Sequence, residues 1–225
     1  MKIKYKLTIL LVAIAILPIL VLSIISTMDT TNILTDNALL ESQNEVLGIS
    51  NQIENFLSNA EGDVLFMSEL QNLNGLINAQ TEQDQVMYKE YLQKDIYEFS
   101  KNREIYYQAR YLDETGQEII RVDSKDGILT IKSEEELQNK AGRYYFDDSF
   151  KINKGDVFVS PLDLNIERGA VENRGSEDNP EYVPVIRYAT PVKDKLGMKK
   201  GIVLTNIYAD KFLDELNANK DLILV

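Results

Sequence analysis

The chain contains no cysteine, no histidine and no tryptophan among its 225 residues. Without cysteine there is no disulfide framework, thiol nucleophile or thiolate metal site. Without histidine the usual general base near neutral pH, the usual zinc ligand and any Ser-His-Asp triad are gone, leaving chemistry to carboxylates, lysine or tyrosine. Carboxylates do cluster, as Asp147-Asp148 and Glu134-Glu135-Glu136. Adjacent acids on a loop or short helix are ordinary solvated charge, however, and nothing marks a pair separated for acid–base work. The run Asp113 to Glu118 lacks the spaced ligands of a calcium loop, and no phosphate-cradling glycine loop exists. Neither catalysis nor a cofactor is therefore expected. Positive charge is scarce as well: 24 Lys and Arg against 36 Asp and Glu give −12. Lys2, Lys4 and Lys6 are the only charges before Asp29, so the remainder is more acidic than the whole. Such a surface repels phosphate backbones and argues against nucleic acid as a partner.

Hydrophobic residues are concentrated at one place. Leu7 to Ile25 is free of charge and as a helix spans about 28 Å, close to the thickness of a bilayer's hydrocarbon core. Pro18 is compatible with a membrane helix whose neighbours supply hydrogen bonds. The three lysines precede this run and Asp29 follows it, so the positive-inside rule places the N-terminus in the cytoplasm and the rest outside. A cleaved signal peptide is the rival reading, but the run is long for that and Ser-Ile-Ile-Ser is a poor cleavage site. A single-pass anchor in the cell membrane is expected.

From Asp29 to Asn78 the pattern is helical. Leu39, Val46, Ile53, Ala60 and Met67 recur every seven residues, with Ile49, Phe56 and Leu70 between them and a gap at Asp63. The stripe packs on its own domain, forms the seam of a parallel homodimer, or does each along a different length. Thr81 with Asp84 resembles a capping box opening a second helix to Ser100. Ile105 to Leu112 alternates as a strand with two usable faces, turns at Asp113-Glu-Thr-Gly116 and returns over Glu118 to Asp123. Residues 125–156 lose the strand pattern, with a short helix capped by Ser133 and Glu136. Asp156 to Ser160 reads as a third strand stopped by Pro161, and 168–181 as a polar surface loop. A second hairpin spans Pro184 to Lys193 and Met198 to Ile207, and Tyr208 to Asn217 reads as a short helix. The expected fold is α+β: a five-stranded antiparallel sheet with helices on one face, the first hairpin beside the last strand and the excursion between the hairpins crossing the open face.

The stretches RYLDETGQEIIRV, GRYYF, GDVFVSPLDLNIERGAVE and PVIRYATPVKDKLGMKKGIVLTN resemble the extracytoplasmic Cache sensor domains of transmembrane receptors. The resemblance extends to the double-Cache regions of sensor histidine kinases and diguanylate cyclases, and it covers residues 5–217. It implies a PAS-like fold, a small-molecule pocket in the membrane-distal module, a parallel dimer, and signalling to an attached output domain as in two-component systems. The implied organisation is a cytoplasmic stub and anchor over 1–27, a long helix over 28–78, a sensor module over 79–217 and the opening of a second module over 218–225. The amino-acid-binding branch of the family carries a tryptophan beside its ligand-gripping arginine, and there is no tryptophan here. The Arg143-Tyr144-Tyr145-Phe146 run is similar to an Arg-x-Tyr-Phe element of dicarboxylate sensors.

Six residues are expected to line the ligand site. Arg143 offers a planar fork that matches a carboxylate, and Tyr144 and Tyr145 add hydroxyls at low entropic cost; the alternative is aromatics packed on the sheet with the arginine in water. Arg187 shares a strand face with Val185 and Ala189 and needs a partner there, either Asp163 or the ligand. Ser160 and Asp163, with Asn165, end the third strand at the pocket rim, where Asp163 either grips an amine or caps a turn. Arg121 points away from Ile120 and Val122 and is read as structural. The function expected is that of a membrane-anchored sensor binding a carboxylate or other polar metabolite. Its rivals are a structural surface protein without a ligand and, third, a carboxylate-based tethered enzyme.

Overall fold

Despite Pro18, Gly48 and Gly62, one helix, α1 (Ile3–Ser68), runs through the apolar segment and the heptad stripe in the computed structural model, which describes residues 3–209. The chain divides into a first unit ending at Gln52 and a second beginning at Ile53. In the first unit α1 contains a window of mean hydropathy 3.0, long and apolar enough to cross a membrane. Leu39 and Val46 of the stripe are 57% and 55% exposed there. In the second unit the same stripe is buried: Ala60, Val64 and Met67 are inaccessible, with Phe56, Leu57 and Leu70 packed beside them. A short helix α2 (Gln71–Ile77) follows, then α3 (Glu82–Lys101), whose first turn is capped by Thr81 accepting from the Asp84 amide at 3.1 Å. Leu92 and Ile96 of α3 are buried on its apolar face.

These helices cover one face of an antiparallel sheet. Its strands are β1 (Tyr106–Asp113), β2 (Glu118–Lys125), β3 (Ile128–Ile131), β4 (Phe158–Val159), β5 (Asp163–Leu164), β8 (Pro184–Lys193) and β9 (Lys199–Tyr208). The order is β3-β2-β1-β9-β8-β4, with β5 also on β8. The five expected strands are contiguous in it, β2-β1-β9-β8-β4, and the first hairpin does lie beside the last strand. Both tight turns are closed by an aspartate: Asp113 accepts from the Thr115 and Gln117 amides at 2.8 and 3.0 Å, Asp194 from those of Leu196 and Met198 at 2.9 Å each.

Three local expectations are corrected. Residues 128–131 form a strand, β3, held by its register on β2 although its side chains are mostly exposed, which is why no alternation marked it. The polar loop begins with a small hairpin, β6 (Ile166–Glu167) and β7 (Ala170–Val171), separate from the main sheet. A register shift between Tyr106 and Gln108 breaks simple alternation in β1, so Tyr106 joins Ala109 and Tyr111 against the helices while Tyr107 packs with Val183 and Val185. Of the helix expected over 208–217, Tyr208 belongs to β9; residues beyond 209, including the segment 218–225, lie outside the described residues.

A buried arginine cluster as the candidate ligand site

The face of the sheet away from the helices is polar at its centre. Directly opposed residues share a face, and the register sets Asn206 of β9 between Gln108 of β1 and Arg187 of β8. Arg110, two residues along β1 from Gln108, stands on that face too. All four are essentially inaccessible. The chain between β3 and β8 crosses over them: Gln138 and Lys140, the helix α4 (Tyr144–Lys151), then β4, β5 and the β6–β7 hairpin.

Buried charge demands partners, and the excursion supplies them. Arg110 donates to Glu118 at 3.1 Å and to the Asn206 side-chain oxygen at 2.7 Å. The second Glu118 oxygen accepts the Gln138 amide at 3.0 Å. Arg121, facing Arg110 across the β1–β2 pair, forks onto Asp123 at 2.7 and 2.8 Å and reaches Glu167 at 2.9 Å. Burial would raise the Glu167 carboxyl, but Arg121 together with Lys140 and Arg110 outweighs it and holds the group below the ordinary carboxylate range. Arg121 is thus fully paired with carboxylates of the layer. Asn165 accepts from Asn206 at 3.2 Å and donates to Glu167 and Glu172 at 3.1 and 2.8 Å. Beside this layer a cleft of about 340 Å³ opens between β2–β3 and the β6–β7 hairpin, edged by Asp123, Lys132, Gln138 and Glu172.

Lys140 is the one cation the layer penalises. Its ammonium is buried with a neutral acceptor, Gln138 at 3.0 Å, and with Glu167 only at 4.0 Å. Burial first, then Arg110, pushes it down to about 8. A lysine whose folded value lies below its unfolded one binds fewer protons when folded, so its contribution to stability rises with pH between about 8 and the unfolded value of 10.5. Lys140→Met should remove this slope. From pH 8 to 9.5 the stability of the wild type relative to the variant is expected to rise by up to about 2 kcal/mol; a difference flat with pH, followed by chemical denaturation, would contradict the assignment.

The six residues singled out in the sequence are brought together around α4. Arg187 donates to Asp163 and, at 3.5 Å, to Asn165. Asp163 also accepts the Tyr144 hydroxyl at 2.7 Å, so it starts β5 as a charge partner instead of capping a turn. Ser160 accepts the Arg187 amide at 2.9 Å and donates to the Pro161 carbonyl at 2.7 Å. Tyr145 is buried, and three guanidiniums converge on its ring: Arg187, Arg143 and Arg110 lie 4.9, 5.9 and 6.0 Å from the centroid. Arg143 is half-buried, and among the described residues its side chain has no hydrogen-bond partner. Arg110 Nε and Arg187 Nε are buried without one. Apolar residues border this cluster: Phe146, Ala189, Leu204 and Phe158 pack with Tyr145.

Arg110, Glu118 and Asn206 are part of this cluster and were not singled out in the sequence. The available signal was topological: once β1 is placed beside β9 and β9 beside β8, Arg110, Asn206 and Arg187 must share a face.

A long helix leads into an antiparallel sheet that carries helices on one face and, on the other, a crossing excursion over a charged layer. The chain belongs to the bacterial histidine kinase sensor domain family, whose model matches residues 51–221. Members are sensor modules and not catalytic ones. The fold is shared with the extracellular domain of vpHK1S-Z8, described as a histidine kinase (TM-score 0.65, 16% identity, 78% of this chain and 59% of that one). It is shared also with a domain of a sensory box/GGDEF family protein from Vibrio parahaemolyticus (TM-score 0.61, 16% identity, 73% and 57%). A third is the ligand-binding domain of the Campylobacter jejuni chemoreceptor Tlp3 in complex with 4-methylisoleucine (TM-score 0.52, 12% identity, 74% and 57%). The chain spans less than two thirds of the length of each. No curated protein sequence matches it.

Proposed function

We propose that the chain is the extracytoplasmic sensing part of a single-pass membrane receptor. In this reading the apolar part of α1 anchors it with the N-terminus in the cytoplasm, and a small metabolite binds on the excursion face of the sheet. The residues assigned to the site are Arg143, Tyr144, Tyr145, Ser160, Asp163 and Arg187, with Arg110 and Asn206 added from the geometry. The observation that carries this is the convergence of three guanidiniums on one buried tyrosine, two of them with an unpartnered buried Nε. A purely structural core has no use for such a surplus of donors, since each unpaired one costs stability. That Tlp3, of similar fold, holds isoleucine and related amino acids supports a ligand of metabolite size.

Signalling is assigned to a parallel homodimer along the exposed stripe of α1 at Leu39 and Val46, passing to an output domain outside this chain. Apolar residues repeated every seven positions and left uncovered support that assignment.

The test is thermal unfolding of the full chain in detergent against a broad panel of small metabolites. A ligand at 100 times its dissociation constant should stabilise the fold by about 2.7 kcal/mol. The expected result is a hit lost in Arg143→Ala, whose unliganded melting point stays within about a degree of wild type because the half-buried Arg143 side chain has no hydrogen-bond or ion-pair partner among the described residues. Loss of no hit in that variant would remove the site. Oxidation of Val46→Cys should give a disulfide-linked dimer if the seam is right; monomer alone would remove it.

A further inference from the structure

We propose that the ligand is a monocarboxylate with a short apolar tail, and that the site rejects the corresponding α-amino acid. The inference rests on the sensor reading above and narrows its ligand. It follows from the balance of charge and of hydrogen-bond capacity around Tyr145.

Three cations face the ring, Arg110, Arg143 and Arg187. Two carboxylates answer them: Glu118 on Arg110 and Asp163 on Arg187. The remaining acids of this face are committed elsewhere, Glu167 and Asp123 to Arg121, and Glu172 to Arg174, Tyr107 and Asn165. Across the layer the six cations Arg110, Arg121, Arg143, Arg174, Arg187 and Lys140 stand against the five carboxylates Glu118, Asp123, Asp163, Glu167 and Glu172, so one positive charge is left over, and a singly charged anion neutralises it. A dianion would leave the layer as unbalanced as before, with the opposite sign.

Hydrogen-bond capacity points the same way. The buried groups without a partner are donors, Arg110 Nε and Arg187 Nε, and beside them the half-buried Arg143 fork has no protein acceptor among the described residues. The side-chain carbonyl oxygens close by are already engaged, Asn165 by Asn206 and Arg187, and Asn206 by Arg110. Both oxygens of Asp163 and both of Glu118 accept a bond. A ligand entering this layer needs acceptors. An ammonium group would arrive among three guanidiniums with each nearby carboxylate already neutralised, so its desolvation would go uncompensated. A carboxylate matches the planar fork of arginine, and the apolar border formed by Phe146, Ala189, Leu204 and Phe158 is where an aliphatic or aromatic tail finds contact.

Matched pairs differing only in the α-amine test this on the full chain in detergent: propanoate with alanine, butanoate with 2-aminobutanoate, 4-methylpentanoate with leucine, and succinate as the dianion. Affinities come from titration calorimetry and melting shifts. At least one monocarboxylate is expected to bind ten-fold or more tightly than both its amino acid and succinate, and to lose ten-fold or more in Arg143→Gln with the free protein's melting point retained. An amino acid binding as tightly as its carboxylate overturns the proposal, and if Arg143→Gln weakens it the sensor reading stands. Preference for succinate does the same. Silence of every pair at 10 mM overturns the proposal, and the broad panel above then decides the sensor reading separately.

Discussion

Glu118→Ala is expected to cost about 3–5 kcal/mol, the range for removing one partner of a buried ion pair. Glu118 is 1% exposed and Arg110 likewise, and Arg110 lies opposite Arg121 in the β1–β2 register. Two guanidiniums so placed are tolerable only with carboxylates around them. Glu118 holds Arg110 at 3.1 Å, stands 3.7 Å from Arg121, and also accepts the Gln138 amide that starts the excursion over the sheet. Truncation would strand Arg110 with only Asn206 as acceptor and release the excursion at that point. Since domains of this size are stable by roughly 5–15 kcal/mol, the variant should be near unfolding at 37 °C. The measurement is denaturation of the full chain in detergent, followed by the fluorescence of its 12 tyrosines. The double substitution Arg110→Met with Glu118→Met should be less damaging than Glu118→Ala alone by at least about 1 kcal/mol, because two apolar groups need no partners. A double variant worse than the single one would show that the pair is not the unit of stability.

The same ion pair shows where sequence reasoning stopped. Both hairpins were legible because each joins a strand pattern to an Asp-x-x-Gly turn whose aspartate makes the bonds expected of it. The stripe of α1 was legible but not the point at which it divides, with Leu39 and Val46 exposed and Ala60 and Met67 buried. Arg187 with Asp163 was legible because a charge on an apolar strand face demands a partner. Arg110 and Glu118 were not. Arg110 alternates with Ala109 and Tyr111, which is also what a half-exposed strand looks like, and Glu118 stands two residues before the core residue Ile120, its side of the sheet set by the register shift between Tyr111 and Leu112. Only the crossing of residues 138–171 over that face turns an apparently solvated row into a buried one, and no local pattern announces such a crossing. Strand β3 was missed for the opposite reason, since its pairing to β2 owes little to side-chain burial.

Gly201→Ala is the second large loss expected, about 3 kcal/mol or more, although the residue reads in sequence as one unremarked position in a strand. Gly201 faces Asp113 on β1 and Val192 on β8, next to the shift in register between Val192 and Lys193. Its φ is +133°, and a Cβ there would stand 1.9 Å from the Leu112 carbonyl oxygen and 2.9 Å from the Asp113 Cα. Both contacts are backbone, in the strand that carries Arg110, so no side chain can swing aside to relieve them. Gly197, in the turn of the same hairpin, isolates the steric share. It also has positive φ, +83°, but nothing lies within 4 Å of its would-be Cβ. Gly197→Ala should therefore cost about 1 kcal/mol, from backbone strain alone. If the two variants melt together, the close approach of β9 to β1 is not what constrains Gly201. If Gly201→Ala alone collapses, and carries ligand binding down with it, then the register that brings Arg110, Asn206 and Arg187 onto one face is fixed by a single missing side chain at the far end of the sheet.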